Sequence, residues 1–166
     1  SLVHLLLETL PGLARPEQIA TAQHLMMGIE PNLRDRALIE ARNCFEAAHL
    51  AHIFAEDTLA EVPLTAEIGG QRLHGVIDRL LITDTKVTAV DFKSNKVIPT
   101  DPQSCPEGLL RQMGAYGLML KQLYPDREIE TAILWTATTE LMVLPHDIVR
   151  AAATHALELD VSGQHS

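Results

Sequence analysis

The chain has 166 residues, 46% of them apolar, enough for one globular domain with a real core and too many for a disordered chain. Its formal net charge of −9 argues against a protein that grips nucleic acid by bulk charge alone. No apolar run approaches the roughly 20 residues of a membrane helix, and no charged–apolar–small leader is evident, so no membrane partner is expected. Two cysteines, Cys44 and Cys105, lie far apart and outside any C-x-x-C pair, which argues against a zinc or iron–sulfur site and fits a reducing cytoplasm.

Residues Leu2 to Leu10 predict a helix ended by Pro11-Gly12, and Pro16 to Met27 a second with Gly28 after it. The first starts with no capping run before it, as expected of a piece of a longer protein. Asn32 to Ala55, rich in alanine and charge, predicts a long third helix. The pattern changes at Glu61-Val62-Pro63. Leu64 to Ile68, Gln71 to Ile82 and Val87 to Lys93 read as strands, separated by Gly69-Gly70 and by Thr83-Asp84-Thr85-Lys86. A loop with three prolines follows over 94–107, then a helix from Glu107 to Tyr124 stopped by Pro125. Strands at Thr131 to Thr136 and Leu141 to Leu144, a helix from His146 to Leu159 and a frayed tail at Ser162 to Ser166 complete the reading. This order predicts an α/β fold, a central mixed sheet flanked by helices, behind an N-terminal helical segment. The expected single domain spans 1–166, with 1–60 helical and 61–161 the core.

Two short segments carry the chemistry, Gly75-Val76-Ile77-Asp78 and Val90-Asp91-Phe92-Lys93. Side chains alternate along a strand, so Asp91 and Lys93 share a face. If Ile82 pairs with Val87 across the turn, the same register sets Asp78 opposite Asp91, with Cβ atoms roughly 5 Å apart. Two carboxylates at that distance ask for a shared proton or a bound cation. With a lysine two residues on, the arrangement suits a divalent metal and phosphodiester cleavage. The competing reading is a solvated hairpin with scattered charges.

On the helix that follows, Gln112 and Tyr116 are four apart and share a face, either as boundary and core residues or as support for the site. Gly114 and Gly117 imply close approach, to the sheet or to a nucleic-acid backbone. Charge is uneven. Residues 72–121 hold seven basic side chains against five acidic, and the remainder six against 17, so the hairpin region is the part friendly to phosphate. His4 alone reads as a core histidine on an apolar helix, and His49 and His52 as surface or boundary residues.

Taken together, Gly75-x-x-Asp78, Val90-Asp91-Phe92-Lys93-Ser94 and Gln112-x-x-x-Tyr116 resemble the RecB-type branch of the PD-(D/E)XK nucleases. The likeness is to the C-terminal nuclease domain of AddA-type helicase–nucleases, and Leu2 to Pro11 is similar to that family's G-x-x-x-H helix. The resemblance implies a restriction-endonuclease-like fold and a metal-dependent DNA exo/endonuclease that serves bacterial double-strand-break repair and recombination. It implies Mg²⁺ or Mn²⁺ held by His4, Asp78, Asp91 and the Phe92 carbonyl, with Lys93 acting on the attacking water and the phosphate. Gln112 and Tyr116 would support the site or contact DNA, and Glu67 would be a supporting carboxylate. Expected partners are DNA, helicase domains of the same polypeptide and a second helicase–nuclease subunit, in the cytoplasm. Ser94-Asn95 departs from the family's usual Thr-Gly or Thr-Asn, and no G-x-x-x-x-G-K-[ST] occurs in these residues. The rivals are an inert domain of this fold that only binds DNA or a partner, and a stand-alone nuclease of the same superfamily.

Overall fold

In the computed structural model, residues 1–164 are described, with side chains to residue 155. Helices α1 (Leu2–Thr9), α2 (Arg15–Leu25) and α3 (Pro31–Phe45) precede strands β1 (Leu59–Ile68), β2 (Gln71–Ile82) and β3 (Lys86–Lys93). Helix α4 (Glu107–Leu123), strands β4 (Glu128–Trp135) and β5 (Glu140–Leu144), and helix α5 (His146–Gln164) follow. The tail expected to fray begins inside α5, and His165 and Ser166 lie outside the described residues.

The five strands lie in sequence order, β1 to β5. β1–β2, β2–β3 and β4–β5 are antiparallel, and β3–β4 is parallel. A parallel pair needs a long crossover, and α4 supplies it. This is the restriction-endonuclease-like mixed sheet that the sequence implies. The β2–β3 turn closes where expected: the Thr83 amide donates to the Lys86 carbonyl at 2.8 Å, and Ile82 pairs with Val87.

Apolar residues cover both faces. Val3, Leu6, Leu7 and Leu10 of α1 pack with Ala37, Ala41 and Cys44 of α3 against Val90, Phe92, Ala132 and Leu134. On the other face Leu110, Met113, Met119 and Leu120 of α4 pack against Ile77, Leu80, Val87, Ala89, Ile133 and Trp135. The N-terminal helices are thus one whole layer of the domain. Phe92 faces them, while Asp91 and Lys93, one position away on either side, alternate toward the α4 layer.

Several boundaries differ from the sequence reading, two of them where the chain enters the sheet. Helix α3 stops at Phe45, not near Ala55, and a 3₁₀ turn follows at Ala48–Leu50. That turn tucks Leu50, Ile53 and Phe54 into the core, a tertiary gain that outweighs the helix propensity of an alanine-rich segment. Strand β1 begins at Leu59, not Leu64, and runs through Pro63. A sheet edge tolerates proline, because a missing donor there faces outward.

Of Gly114 and Gly117, Gly114 serves close packing and Gly117 does not require it. A Cβ on Gly114 would lie 2.0 Å from the Val149 carbonyl oxygen of α5, and one on Gly117 would meet Thr131 of the sheet at 3.9 Å. Gly114→Ala is expected to push α5 off α4 and destabilise the domain by about 1–3 kcal/mol in denaturant unfolding.

Candidate active site

The site lies where the end of β3 meets α1, the middle of β2 and α4. The β2–β3 ladder ends at Arg79 opposite Val90, one step short of Asp78 and Asp91. There the regular bonding gives way to the side chain: Asp78 Oδ2 accepts the Phe92 amide proton at 2.7 Å. Ile77 and Leu80, three residues apart, both belong to the α4-side core, so the strand's alternation breaks around Asp78. The neighbouring strand breaks too. Ala60 pairs with Arg79 and Val62 with Ile77, so Glu61 stands opposite Asp78, with φ at +52°. A non-glycine residue in the left-handed region inside a strand is rare and marks a local constraint.

Burial pushes the Asp78 carboxyl up to about 7, ionised Asp91 adds to the rise, and the Phe92 amide bond opposes it. Glu61 contributes a smaller upward push. Asp91 is only 4% exposed. Its Oδ2 lies 3.1 Å from Lys93 Nζ but receives no aligned hydrogen bond, which leaves a buried anionic oxygen short of partners. A half-buried and a buried carboxylate therefore meet one amine.

His4 comes from the other layer. Ser1 caps α1 by accepting the His4 amide proton, and the His4 ring lies against Phe92 with centroids 6.1 Å apart. His4 Nε2 stands 2.5 Å from the Phe92 carbonyl oxygen. A carbonyl only accepts, so the direct contact needs a proton on Nε2, and a cation between the two atoms would need that nitrogen unprotonated.

Gln112 and Tyr116 brace β2 from α4. Gln112 Nε2 donates to the Tyr116 hydroxyl at 2.9 Å, and that hydroxyl donates to the Val76 carbonyl at 3.0 Å. Burial raises the Tyr116 pKa, and the nearby Asp91 and Asp78 charges raise it further. The glycine of Gly75-x-x-Asp78 makes room for this ring. A Cβ there would lie 2.4 Å from Tyr116 Cε1. Gly75→Ala must therefore displace a ring hydrogen-bonded to the same strand, at an expected cost of about 1–3 kcal/mol. Urea unfolding of Gly75→Ala beside the Gly75→Ala/Tyr116→Leu double variant checks this, because the second change should recover part of the loss.

Glu67 is not brought to this group. It lies exposed near the far end of β1, opposite Arg72, six residues or roughly 20 Å along the strand from Glu61. The β1 carboxylate beside Asp78 is Glu61, which the sequence reading passed over. A second residue it missed is Thr136, just past β4. Its amide donates to the Lys93 carbonyl at 2.9 Å.

Among the described residues no three His, Cys, Asp or Glu side chains form a ready-made metal cage. Mg²⁺ does not require one, since it keeps several waters and is commonly held by one or two carboxylates. The donors present suit it: a carboxylate pair with a partner-poor buried oxygen, and an imidazole nitrogen beside a main-chain carbonyl.

The family model for the PD-(D/E)XK nuclease superfamily matches residues 1–159, and the chain belongs to that superfamily. Among solved structures the chain is similar to the Eubacterium rectale protein named "Putative exonuclease", with a TM-score of 0.61 and 11% identity. That match covers 88% of this chain and 59% of the other, so the chain spans about three-fifths of that protein's length, and the likeness is one of fold. A match to the structure of SSO0001 has a TM-score of 0.40 and 13% identity over 95% of this chain and 74% of that one. No curated protein matches this chain.

Proposed function

We propose that this domain is a divalent-metal-dependent deoxyribonuclease of the RecB type, most like the C-terminal nuclease domain of AddA-type helicase–nucleases. The observation that carries the proposal is the meeting of Asp78, Asp91 and Lys93 at a break in β2, with a buried Asp91 oxygen lacking an aligned donor. An inert relative would have no need to maintain so costly a cluster, because holding two carboxylates together out of water destabilises a fold. In this reading Asp78 and Asp91 hold the metal, and His4 and the Phe92 carbonyl complete its protein donors. Bound there, Mg²⁺ or Mn²⁺ would polarise the scissile phosphate and lower the pKa of a coordinated water. Lys93, fixed by its ion pair with Asp91, orients the attacking water and offsets charge on the phosphoryl oxygens. Gln112 and Tyr116 hold β2, and with it Asp78, in register.

The proposed setting is a larger cytoplasmic helicase–nuclease that processes double-strand breaks, with helicase domains on the same polypeptide and a second subunit. The supporting feature is charge. Outside residues 72–121 the chain carries six basic against 17 acidic side chains, so DNA must be delivered by something more basic than this domain. Among the described residues no helix is long and apolar enough to cross a membrane.

Incubating the chain with linear single- and double-stranded DNA in Mg²⁺, in Mn²⁺ and in chelator tests the activity. Cleavage in metal, lost in chelator, is expected; metal-independent cleavage, or none in either metal, contradicts it. Binding of labelled DNA is expected to be weak, with a shallow salt slope of about two to four phosphates at about 0.9 each. Tight binding at physiological salt would instead favour a stand-alone nuclease.

A further inference from the structure

We propose that Thr136 is a positioning residue for Lys93, tying the end of the catalytic strand to helix α3 of the N-terminal layer. The inference rests on the reading that Lys93 serves phosphodiester cleavage. Lys93 is the last residue of β3 and pairs with Trp135, the last residue of the parallel strand β4. Beyond Lys93 the chain enters a loop, so its carbonyl is the last β3 group held by the neighbouring strand's continuation. Thr136 holds it twice: the amide donates at 2.9 Å, and the hydroxyl lies 3.3 Å away.

The remaining polar atoms of Thr136 reach α3. Its hydroxyl donates to Glu40 Oε2 at 2.8 Å, and its carbonyl accepts from the Cys44 thiol at 3.5 Å. Glu40 and Cys44 are four apart and share one face of α3. Thr136 is fully buried, so none of these bonds competes with solvent. A hydroxyl has a single proton, and sharing it between Glu40 and the Lys93 carbonyl locks its rotor. Burial, with Glu40 adding to it, pushes the Cys44 thiol up to about 12, which keeps it a donor to the Thr136 carbonyl.

Lys93 reaches Asp91 over 3.1 Å from a Cα set by these bonds. Without them the strand end is free to fray from the carbonyl outward, and the amine loses its aim. The Thr136 hydroxyl bonds neither the Lys93 side chain nor the Asp78 and Asp91 carboxylates. Its effect passes through the backbone, which makes it a positioning group and not a catalytic one.

The test compares Thr136→Val, Thr136→Ser and Glu40→Leu with the unaltered chain. Steady-state cleavage of linear DNA gives kcat and KM. Brief acetylation of the folded protein, read by mass spectrometry, gives the labelling rate of Lys93 against Lys86 and Lys96. Thr136→Val is expected to lower kcat by about tenfold to a hundredfold and leave KM within about twofold, the pattern of a displaced reacting group. Lys93 should label several-fold faster while Lys86 and Lys96 do not change, and Thr136→Ser should restore both readouts. Glu40→Leu, at a half-buried position, should shift both in the same direction; it carries the test alone if Thr136→Val does not fold. Unaltered kcat and Lys93 labelling in the folded variants overturn the inference, as does an equal loss in Thr136→Ser. If the unaltered chain does not cleave DNA, the nuclease reading fails, and Lys93 labelling alone still decides whether Thr136 positions it.

Discussion

Lys93→Ala and Asp91→Asn are each expected to reduce DNA cleavage by about 10²–10³-fold or more, while the domain remains folded. The two losses have different causes. Lys93→Ala removes the amine that faces Asp91 Oδ2 across 3.1 Å, and so the group that neutralises charge at the phosphate. Asp91→Asn removes one of two carboxylates that would hold the metal, and it also removes the charge that helps raise the Asp78 pKa. Asp91 is buried with an oxygen lacking an aligned donor, so its neutral isostere should melt no lower than the unaltered chain. Cleavage rates at saturating DNA, measured with melting temperatures, check both halves. Loss of cleavage accompanied by unfolding would make Asp91 a structural residue.

Without metal, the domain should lose stability as pH rises from about 4 to about 7, through the Asp78 carboxyl. The group titrates at 3.8 in its ordinary state and at about 7 in the fold. Between those values the native chain holds a proton that the unfolded chain has released, so unfolding releases that proton and higher pH favours it. The stabilising contribution is complete below 3.8 and gone once pH has passed about 7. A divalent cation reverses the trend, because it binds the ionised pair of the native state alone and stabilises by mass action. The rise in melting temperature on adding millimolar Mg²⁺ or Mn²⁺ should therefore grow between about pH 5 and about pH 8. Asp78→Asn should flatten both trends. Melting curves across that range in chelator and in metal decide it, and a metal-induced shift largest at the acid end would contradict the assignment.

The core of the site was legible because a hairpin has few free parameters. A turn at Thr83–Lys86 fixes the register, the register carries Asp78 and Asp91 one step past its last pair, where the carboxylates interact, and strand alternation puts Lys93 on the face of Asp91. The Gln112 and Tyr116 pair was legible in the same way, from helical spacing, although its target, the Val76 carbonyl, was not. A mixed sheet flanked by helices followed from the element order, while the strand order and the parallel β3–β4 pairing came only with the structure.

What escaped depends on contacts between distant parts of the chain. Starting β1 at Leu64 left Glu61 outside any strand, and so a carboxylate opposite Asp78 was missed while Glu67 was advanced. Nothing local marks Glu61 for a positive φ, which is imposed by the break at Asp78 across the ladder. Helix α3 carries no glycine or proline at Phe45. Its end is set by the burial of Leu50, Ile53 and Phe54 beneath the sheet. Thr136 reads as an ordinary strand residue until parallel pairing brings it to the Lys93 carbonyl and α3 brings Glu40 to its hydroxyl.

The central claim is that the Asp78–Asp91 pair is a cation site, and calorimetric titration of Mn²⁺ into the chain near pH 6.5 tests it most directly. The unaltered protein should bind the ion at one site and release protons as it does so, because the metal displaces the proton that Asp78 retains near neutrality. Asp78→Asn and Asp91→Asn should each lose that binding, and the released protons with it. Binding of equal strength in all three proteins, or none in the unaltered chain at millimolar Mn²⁺, would contradict the claim.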